Sequence, residues 1–196
     1  MSTRDSEHTA AELANPPGGL LVWLVIWLEI LTFGAGLAIL LVQQRAAPED
    51  FLESRMLLDQ GIALTNTLLL ITGGYFMAMA TMRLRRTQSR AGASWVLGAV
   101  TTGGAFLLLK TIEYYHKINQ GITLEYNQFF TFYWLLTGFH YLHVWLGTLL
   151  LIAVFFSIRN GSNPETTLLD TETCGAFWHM CDLIWLMLYP IVYLLE

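Results

Sequence analysis

Five long apolar stretches constrain this sequence more than any other feature. Each contains about 20 residues, which is enough for a helix to cross a hydrocarbon core of about 30 Å. They are residues 20–42, 61–82, 92–112, 129–158 and 174–195. The connectors hold most of the charge and several helix-breaking residues. The sequence therefore predicts an all-α, polytopic membrane protein: a polar tail, residues 1–19, precedes a five-helix membrane domain, residues 20–196.

Composition and charge exclude two broad classes of protein. The chain is 55% hydrophobic and 13% charged, whereas an ordinary soluble domain is roughly a quarter charged. The formal net charge is -5, and the basic residues are scattered or sit in one short loop. Nucleic-acid binding is therefore not expected.

The basic loop indicates how the chain crosses the membrane. Four arginines, Arg83, Arg85, Arg86 and Arg90, crowd the connector between the second and third stretches. Cytoplasmic loops carry an excess of Lys and Arg. We therefore expect a cytoplasmic N-terminus and, after five crossings, a C-terminus on the outside.

One carboxylate interrupts the first apolar stretch. Glu29 lies about nine residues into it, and a charged carboxylate inside a bilayer costs several kcal/mol unless it is paired or protonated. We expect Glu29 to be neutral or to share a proton with a partner.

Further polar residues interrupt the other stretches. They are Asn66, His140, His143, His179 and Asp182. The His-x-x-His pair and the His-x-x-Asp pair each lie on one helix face. Counting from the predicted span ends puts His143, His179 and Asp182 at a depth similar to that of the carboxylate in the first stretch. We expect an interhelical polar network, with Asn66 bridging between helices.

The predicted outer end of the third helix and several tryptophans suit the membrane interface. Glu113, Tyr114 and His116 are expected to form an outer polar cluster there. Trp178 lies near a predicted span end and is expected to be an interfacial anchor, while Gly103 and its neighbour offer a flat face for close helix contact.

Spacing alone leaves three interpretations of the intramembrane residues open. Imidazoles and carboxylates on facing helices are typical of metal sites in helical bundles. The same residues are typical of a proton or substrate path in a transporter. They also form hydrogen bonds that hold helices together or bind a partner subunit.

Four ordered motifs extend over nearly the entire chain: Leu64-Thr-Asn-Thr-Leu-Leu-Leu, Leu108-Leu-Lys-Thr-Ile-Glu-Tyr-Tyr, Thr137-Gly-Phe-His-Tyr-Leu-His-Val and Phe177-Trp-His-Met-Cys-Asp-Leu-Ile-Trp-Leu. Together they resemble subunit III of the haem-copper oxidases. Glu29, in Trp27-Leu-Glu-Ile-Leu-Thr-Phe, matches a family glutamate known for its reactivity towards carbodiimides. The chain departs from the family at Met77-Ala-Met-Ala-Thr-Met, where oxidase subunits commonly have Trp-Ala-His-His.

The resemblance implies a particular bundle. The family fold has seven helices and a V-shaped cleft filled with phospholipid, and this chain resembles it from the third helix onward. Five-helix forms are known among bacterial oxidase subunits and among the NorE-type accessory proteins of nitric oxide reductase. We predict that the NorE-type form is the nearer match.

The resemblance also implies an accessory role. A subunit III binds no haem or copper itself, and those cofactors belong to its partner. We predict a non-catalytic subunit in the bacterial inner membrane, with no catalytic residues and no metal of its own. Its partner is the catalytic subunit of a haem-copper oxidase or nitric oxide reductase, which it supports in assembly, stability and proton uptake. The alternatives are a stand-alone metal or haem protein and a proton-coupled transporter.

Overall fold

The computed structural model describes residues 19–195, and they form six α-helices. The predicted polar tail lies outside the described residues except for Gly19. The helices are α1 (Gly19–Ala46), α2 (Pro48–Met56), α3 (Gln60–Arg85), α4 (Ser89–Asn119), α5 (Gln128–Arg159) and α6 (Pro164–Tyr189), and a π-helical turn, Pro190–Leu194, extends α6.

The five predicted membrane helices are confirmed. Five of the described helices, α1, α3, α4, α5 and α6 with its π-helical turn, are long and apolar enough to cross a membrane. Their ends differ from the predicted ones. The last helix begins at Pro164, because proline suits a first helical position and the Asn163 side chain accepts a hydrogen bond from the Glu165 amide at 3.0 Å.

The connector predicted between the first two spans contains a helix of its own. In α2, Pro48 again occupies the first turn, followed by the acidic residues Glu49 and Asp50. Negative charge in a first turn favours a helix because it faces the positive end of the helix dipole. The apolar-stretch criterion missed α2 because the helix is short and mostly polar.

Four of the long helices enclose the core. Helix α4 packs between α3 and α5, and α6 packs against both α3 and α5, so the four form a closed arrangement. Helix α1 packs against α5 and α6 from outside. Its inward stripe includes Phe33, Leu37 and Leu40, whose spacing of three and four residues repeats on one helix face.

Trp178 differs from its expected position at the interface. It is fully buried in the bundle, because its helix begins well before the predicted span. Three glycines from neighbouring helices, Gly73, Gly103 and Gly147, provide the space for its indole. A methyl group at Gly103 would lie 2.5 Å from Trp178 Cη2, whereas one at Gly104 would meet nothing within 4 Å.

Helix α2 lies across one end of the bundle, which we call the α2 end. The Arg55 guanidinium donates from Nε to the Val192 carbonyl at 3.1 Å and from Nη2 to the Ile191 carbonyl at 3.2 Å. Lys117 Nζ donates to the Leu57 carbonyl. Burial lowers the pKa of Arg55 from its usual value. The Arg55 bonds attach α2 to the π-helical turn, where Pro190 lacks a backbone donor, and the Lys117 bond attaches the end of α2 to α4.

Candidate functional site

The first intramembrane pair joins α1 to α5. Glu29 Oε1 lies 3.4 Å from His143 Nε2, and both side chains are mostly buried. His143 Nδ1 lies 2.9 Å from the Phe139 carbonyl oxygen, which can only accept a hydrogen bond. The rings of Phe33, Phe139 and Phe177 lie around the imidazole.

This geometry determines how many protons the hydrogen bond between the two side chains requires. Because Nδ1 donates to the Phe139 carbonyl, Nε2 of a neutral His143 is an acceptor. A hydrogen bond with Glu29 then needs one proton, carried by the carboxyl group or by the imidazole. Glu29 Oε2 is buried and has no hydrogen-bond partner among the described residues. The pair is therefore suited to sharing a single proton.

The second intramembrane pair lies within α6. His179 Nδ1 is 3.5 Å from Asp182 Oδ2, and the His179 side chain is 49% exposed. Gly74 of α3 faces both groups, and a methyl group there would contact the Asp182 carboxylate. Asp182 Oδ1 is buried and, within the described part of the chain, has no hydrogen-bond partner.

His140 and Asn66 are buried without hydrogen bonds. Neither ring nitrogen of His140 and neither amide atom of Asn66 has a partner among residues 19–195. The His140 ring stacks on Trp185 at 5.2 Å between ring centroids and meets the edge of Phe106 at 5.9 Å. Aromatic rings thus fill the positions that polar partners of His140 would need.

The structure does not bring the five predicted network residues into one network. His143 pairs with Glu29, and His179 pairs with Asp182 of its own helix. His140 and Asn66 remain apart from both pairs. Three or more described His, Cys, Asp or Glu side chains nowhere form a group that could hold a metal ion.

A cluster that the sequence reasoning missed lies between α4, α5 and the last turn. We call Lys110, Glu113, Tyr133 and Tyr193 the Lys110 cluster, and all four are buried. Lys110 Nζ lies 3.0 Å from Glu113 Oε2 and 2.5 Å from the Tyr193 hydroxyl. The hydroxyls of Tyr133 and Tyr193 donate to Glu113 Oε1 at 2.6 and 2.9 Å. Both carboxylate oxygens are therefore satisfied.

The predicted outer polar cluster is replaced by this arrangement. Glu113 faces the core instead of the interface, and Tyr114 donates to Thr137 Oγ1 at 2.9 Å. His116 is exposed one turn further along α4 and lines a cavity together with Glu113. Lys110 and Glu113 are three residues apart, so they share a helix face. That spacing within an apolar helix is the signal that could have identified the cluster.

Comparison with known proteins supports one family. The family model described as cytochrome c oxidase subunit III matches residues 55–196. Cytochrome c oxidase subunit 3 of Synechocystis sp. is 31% identical over 131 residues, which cover 66% of this chain and 55% of that protein. Cytochrome c oxidase subunit 3 of Thermostichus vulcanus is 29% identical over 178 residues, covering 90% and 86%.

The name of a third relative joins two subunits. The haem-copper oxidase subunit I+III of Aeropyrum pernix is 25% identical over 179 residues, which cover 88% of this chain and 22% of that protein. This chain thus spans about half of the Synechocystis protein, most of the Thermostichus protein and about a fifth of the Aeropyrum protein.

Proposed function

The chain belongs to the cytochrome c oxidase subunit III family, and we propose that it is a non-catalytic membrane subunit of a haem-copper oxidase complex. The observation that carries this proposal is the family match, which extends from α2 to residue 196 and includes four of the five membrane helices. The Aeropyrum relative, named as a joined subunit I+III, supports direct contact between this chain and a subunit I.

In this role the chain supplies a stable bundle, and the haem and metal belong to the partner subunit. The Lys110 cluster connects α4 and α5 to the last turn through hydrogen bonds and an ion pair. Arg55 then attaches α2 to the same turn. A bundle closed in this way presents a fixed surface to its partner, which supports a role in assembly and stability.

We propose that the Glu29–His143 pair is the contribution of this chain to proton uptake. The pair holds one proton between two groups that can each carry it, inside the membrane and 3.4 Å apart. Exchange of that proton between carboxyl and imidazole needs no movement of the backbone.

We also propose that the chain lies in a bacterial inner membrane with its N-terminus in the cytoplasm. The loop at Arg83–Gln88 and the adjoining Arg90 supply the positive charge that favours this orientation. A cysteine introduced at Gln88 should react with an impermeant maleimide only after the membrane is opened, and one introduced at Gln120 should react in intact spheroplasts.

Purification from native membranes tests the proposed function. The tagged chain is extracted in a mild detergent, and the co-purifying proteins are identified by mass spectrometry and haem absorbance, with an untagged strain as control. Recovery of a haem-copper oxidase catalytic subunit is the expected result. Recovery of a nitric oxide reductase catalytic subunit would instead support the NorE-type role. Recovery of the chain alone, with both enzymes intact in the extract, would contradict the proposal.

Activity during turnover provides a second test. The complex prepared without this chain should begin with a similar rate and lose activity faster, because a subunit that maintains its partner is needed during repeated turnover. An unchanged decay of activity would contradict the stabilising role even when the two subunits co-purify.

A further inference from the structure

An exposed polar pair lies where the membrane offers no hydrogen bonds. His179 is about 10 Å along the helix axis from Glu172, the preceding charged residue of α6, and Asp182 is about 15 Å from it. Both therefore lie within the apolar part of the helix. The His179 side chain is nevertheless 49% exposed. Lipid tails cannot accept or donate a hydrogen bond, so this surface is costly to leave facing lipid.

Asp182 has an unsatisfied acceptor at the same location. The residue is 8% exposed, and its Oδ1 has no hydrogen-bond partner among the described residues. Its other oxygen faces His179 at 3.5 Å. The unused acceptor is buried within the chain, so the polar group of this pair that a neighbour in the membrane can reach is the His179 imidazole.

Other exposed polar groups of the membrane helices contrast with this pair. Thr72 donates to the Leu68 carbonyl at 2.7 Å. Thr111 donates to the Leu107 carbonyl at 2.7 Å and lies 2.9 Å from the Tyr141 hydroxyl. These groups are satisfied within the chain and can face lipid. The His179 imidazole differs from them, because it is 49% exposed and its contact with Asp182 is 3.5 Å long.

The surface around the pair has the shape of a helix contact site. Leu183 and Leu186 are 47% and 44% exposed and continue the stripe of His179 along α6. On α3, the exposed Ala78 lies one turn from Gly74, which is itself buried against Asp182, and a small exposed residue allows a second helix to approach closely. We call His179, Leu183, Leu186 and Ala78 the His179 surface.

We propose that the His179 surface binds a transmembrane helix of the catalytic partner subunit, and that a polar group on this helix forms a hydrogen bond with the exposed His179 imidazole. This inference rests on the proposed function and identifies the surface through which that function is carried out. The partner helix would cover the exposed imidazole and the stripe of leucines, and it would supply the hydrogen-bonding group that lipid lacks.

Photo-crosslinking tests the contact directly. A benzophenone amino acid is introduced at Leu183 and, as a matched control, at Leu108, which is 63% exposed on α4. Both proteins are irradiated in native membranes, and the adducts are identified by mass spectrometry. The expected result is an adduct between position 183 and a membrane helix of the catalytic subunit, with no such adduct from position 108. Adducts from position 183 only with lipid or with a second copy of this chain would overturn the inference.

Substitutions test the energetics of the contact. Leu183→Trp should reduce recovery of the catalytic subunit by about tenfold or more, since overpacking in a close helix contact is unfavourable, whereas Leu108→Trp should leave it unchanged. His179→Phe keeps an aromatic ring and removes both imidazole nitrogens, and it should reduce recovery by about threefold to tenfold. Equal thermal stability of the purified variants excludes misfolding as the cause.

The outcomes separate the inference from the proposed function. If the unmodified chain recovers no catalytic subunit, the proposed function fails before any variant is considered. If the unmodified chain recovers it and the Leu183 and His179 variants recover it equally well, the function stands and the His179 surface is not the contact.

Discussion

The Lys110 cluster and the two intramembrane pairs each combine a carboxylate with a basic side chain. They differ in how completely the carboxylate oxygens are hydrogen-bonded. In the cluster, both oxygens of Glu113 accept hydrogen bonds. In the pairs, Glu29 and Asp182 each retain one oxygen without a partner in residues 19–195. Complete pairing stabilises a fold, whereas incomplete pairing leaves groups available for a proton or a partner. The two regions thus separate structural from functional polar chemistry.

Removing the carboxylate of the Lys110 cluster should have the largest effect on stability. Glu113→Ala leaves the Lys110 ammonium buried without its counter-ion, and loss of one partner of a buried pair costs about 3 to 5 kcal/mol. The measurement is the free energy of unfolding in mixed micelles. Glu172→Gln is the matched control, because its partner Arg85 is 62% exposed and the pair should be worth about 1 kcal/mol or less. Equal losses of stability in the two variants would contradict the distinction between a buried, fully paired carboxylate and an ion pair with an exposed partner.

Packing next to the His179 pair provides the second prediction. Gly103→Ala would push the Trp178 indole, which precedes His179 in α6, and overpacking costs about 1 to 3 kcal/mol. Gly104→Ala should be neutral or stabilise the helix by up to about 1 kcal/mol, since the space beside it is open. Thermal unfolding of the two variants measures the difference. Similar melting temperatures would show that the indole moves without cost.

Removal of the Tyr193 hydroxyl tests whether both tyrosines of the Lys110 cluster are needed to satisfy the Glu113 carboxylate. Tyr193→Phe removes one hydrogen bond to Glu113 and one from Lys110, and we expect a loss of about 1 to 2 kcal/mol. Tyr115→Phe is the control, because Tyr115 is 64% exposed. A loss no larger than that of the control would indicate that Tyr133 alone is sufficient to satisfy the carboxylate.

The sequence predicts the elements of this fold better than the orientation of its side chains. Long apolar stretches identify the five membrane helices, because a bilayer sets the length that a spanning helix needs. The direction of the Glu113 side chain could not be predicted in this way. A carboxylate near a helix end can lie at the membrane interface or pair with buried groups. Here the partners are Tyr133 and Tyr193, which come from distant parts of the chain.

The intramembrane residues also show that side-chain orientation is hard to predict from sequence. Counting residues along the predicted spans puts Glu29 and His143 at a similar depth, and in the structure the two side chains form a pair. Depth does not determine which face of a helix is turned inward or what surrounds it. His140 is therefore enclosed by aromatic rings, and His179 is exposed beside Asp182.

Glu29 should show the smallest effect on stability and the clearest chemical signature. Glu29→Gln keeps a side chain that can donate to His143 Nε2, so we expect the free energy of unfolding to change by less than about 1 kcal/mol. The variant should lose labelling by a hydrophobic carbodiimide, which reacts with a protonated carboxyl group inside the membrane. Asp182→Asn, which removes the carboxyl group of the second intramembrane pair, should retain the labelling of Glu29. Labelling that persists in Glu29→Gln and disappears in Asp182→Asn would assign the reactive carboxyl to α6, and the proton proposed for the Glu29–His143 pair would then belong to the His179–Asp182 pair.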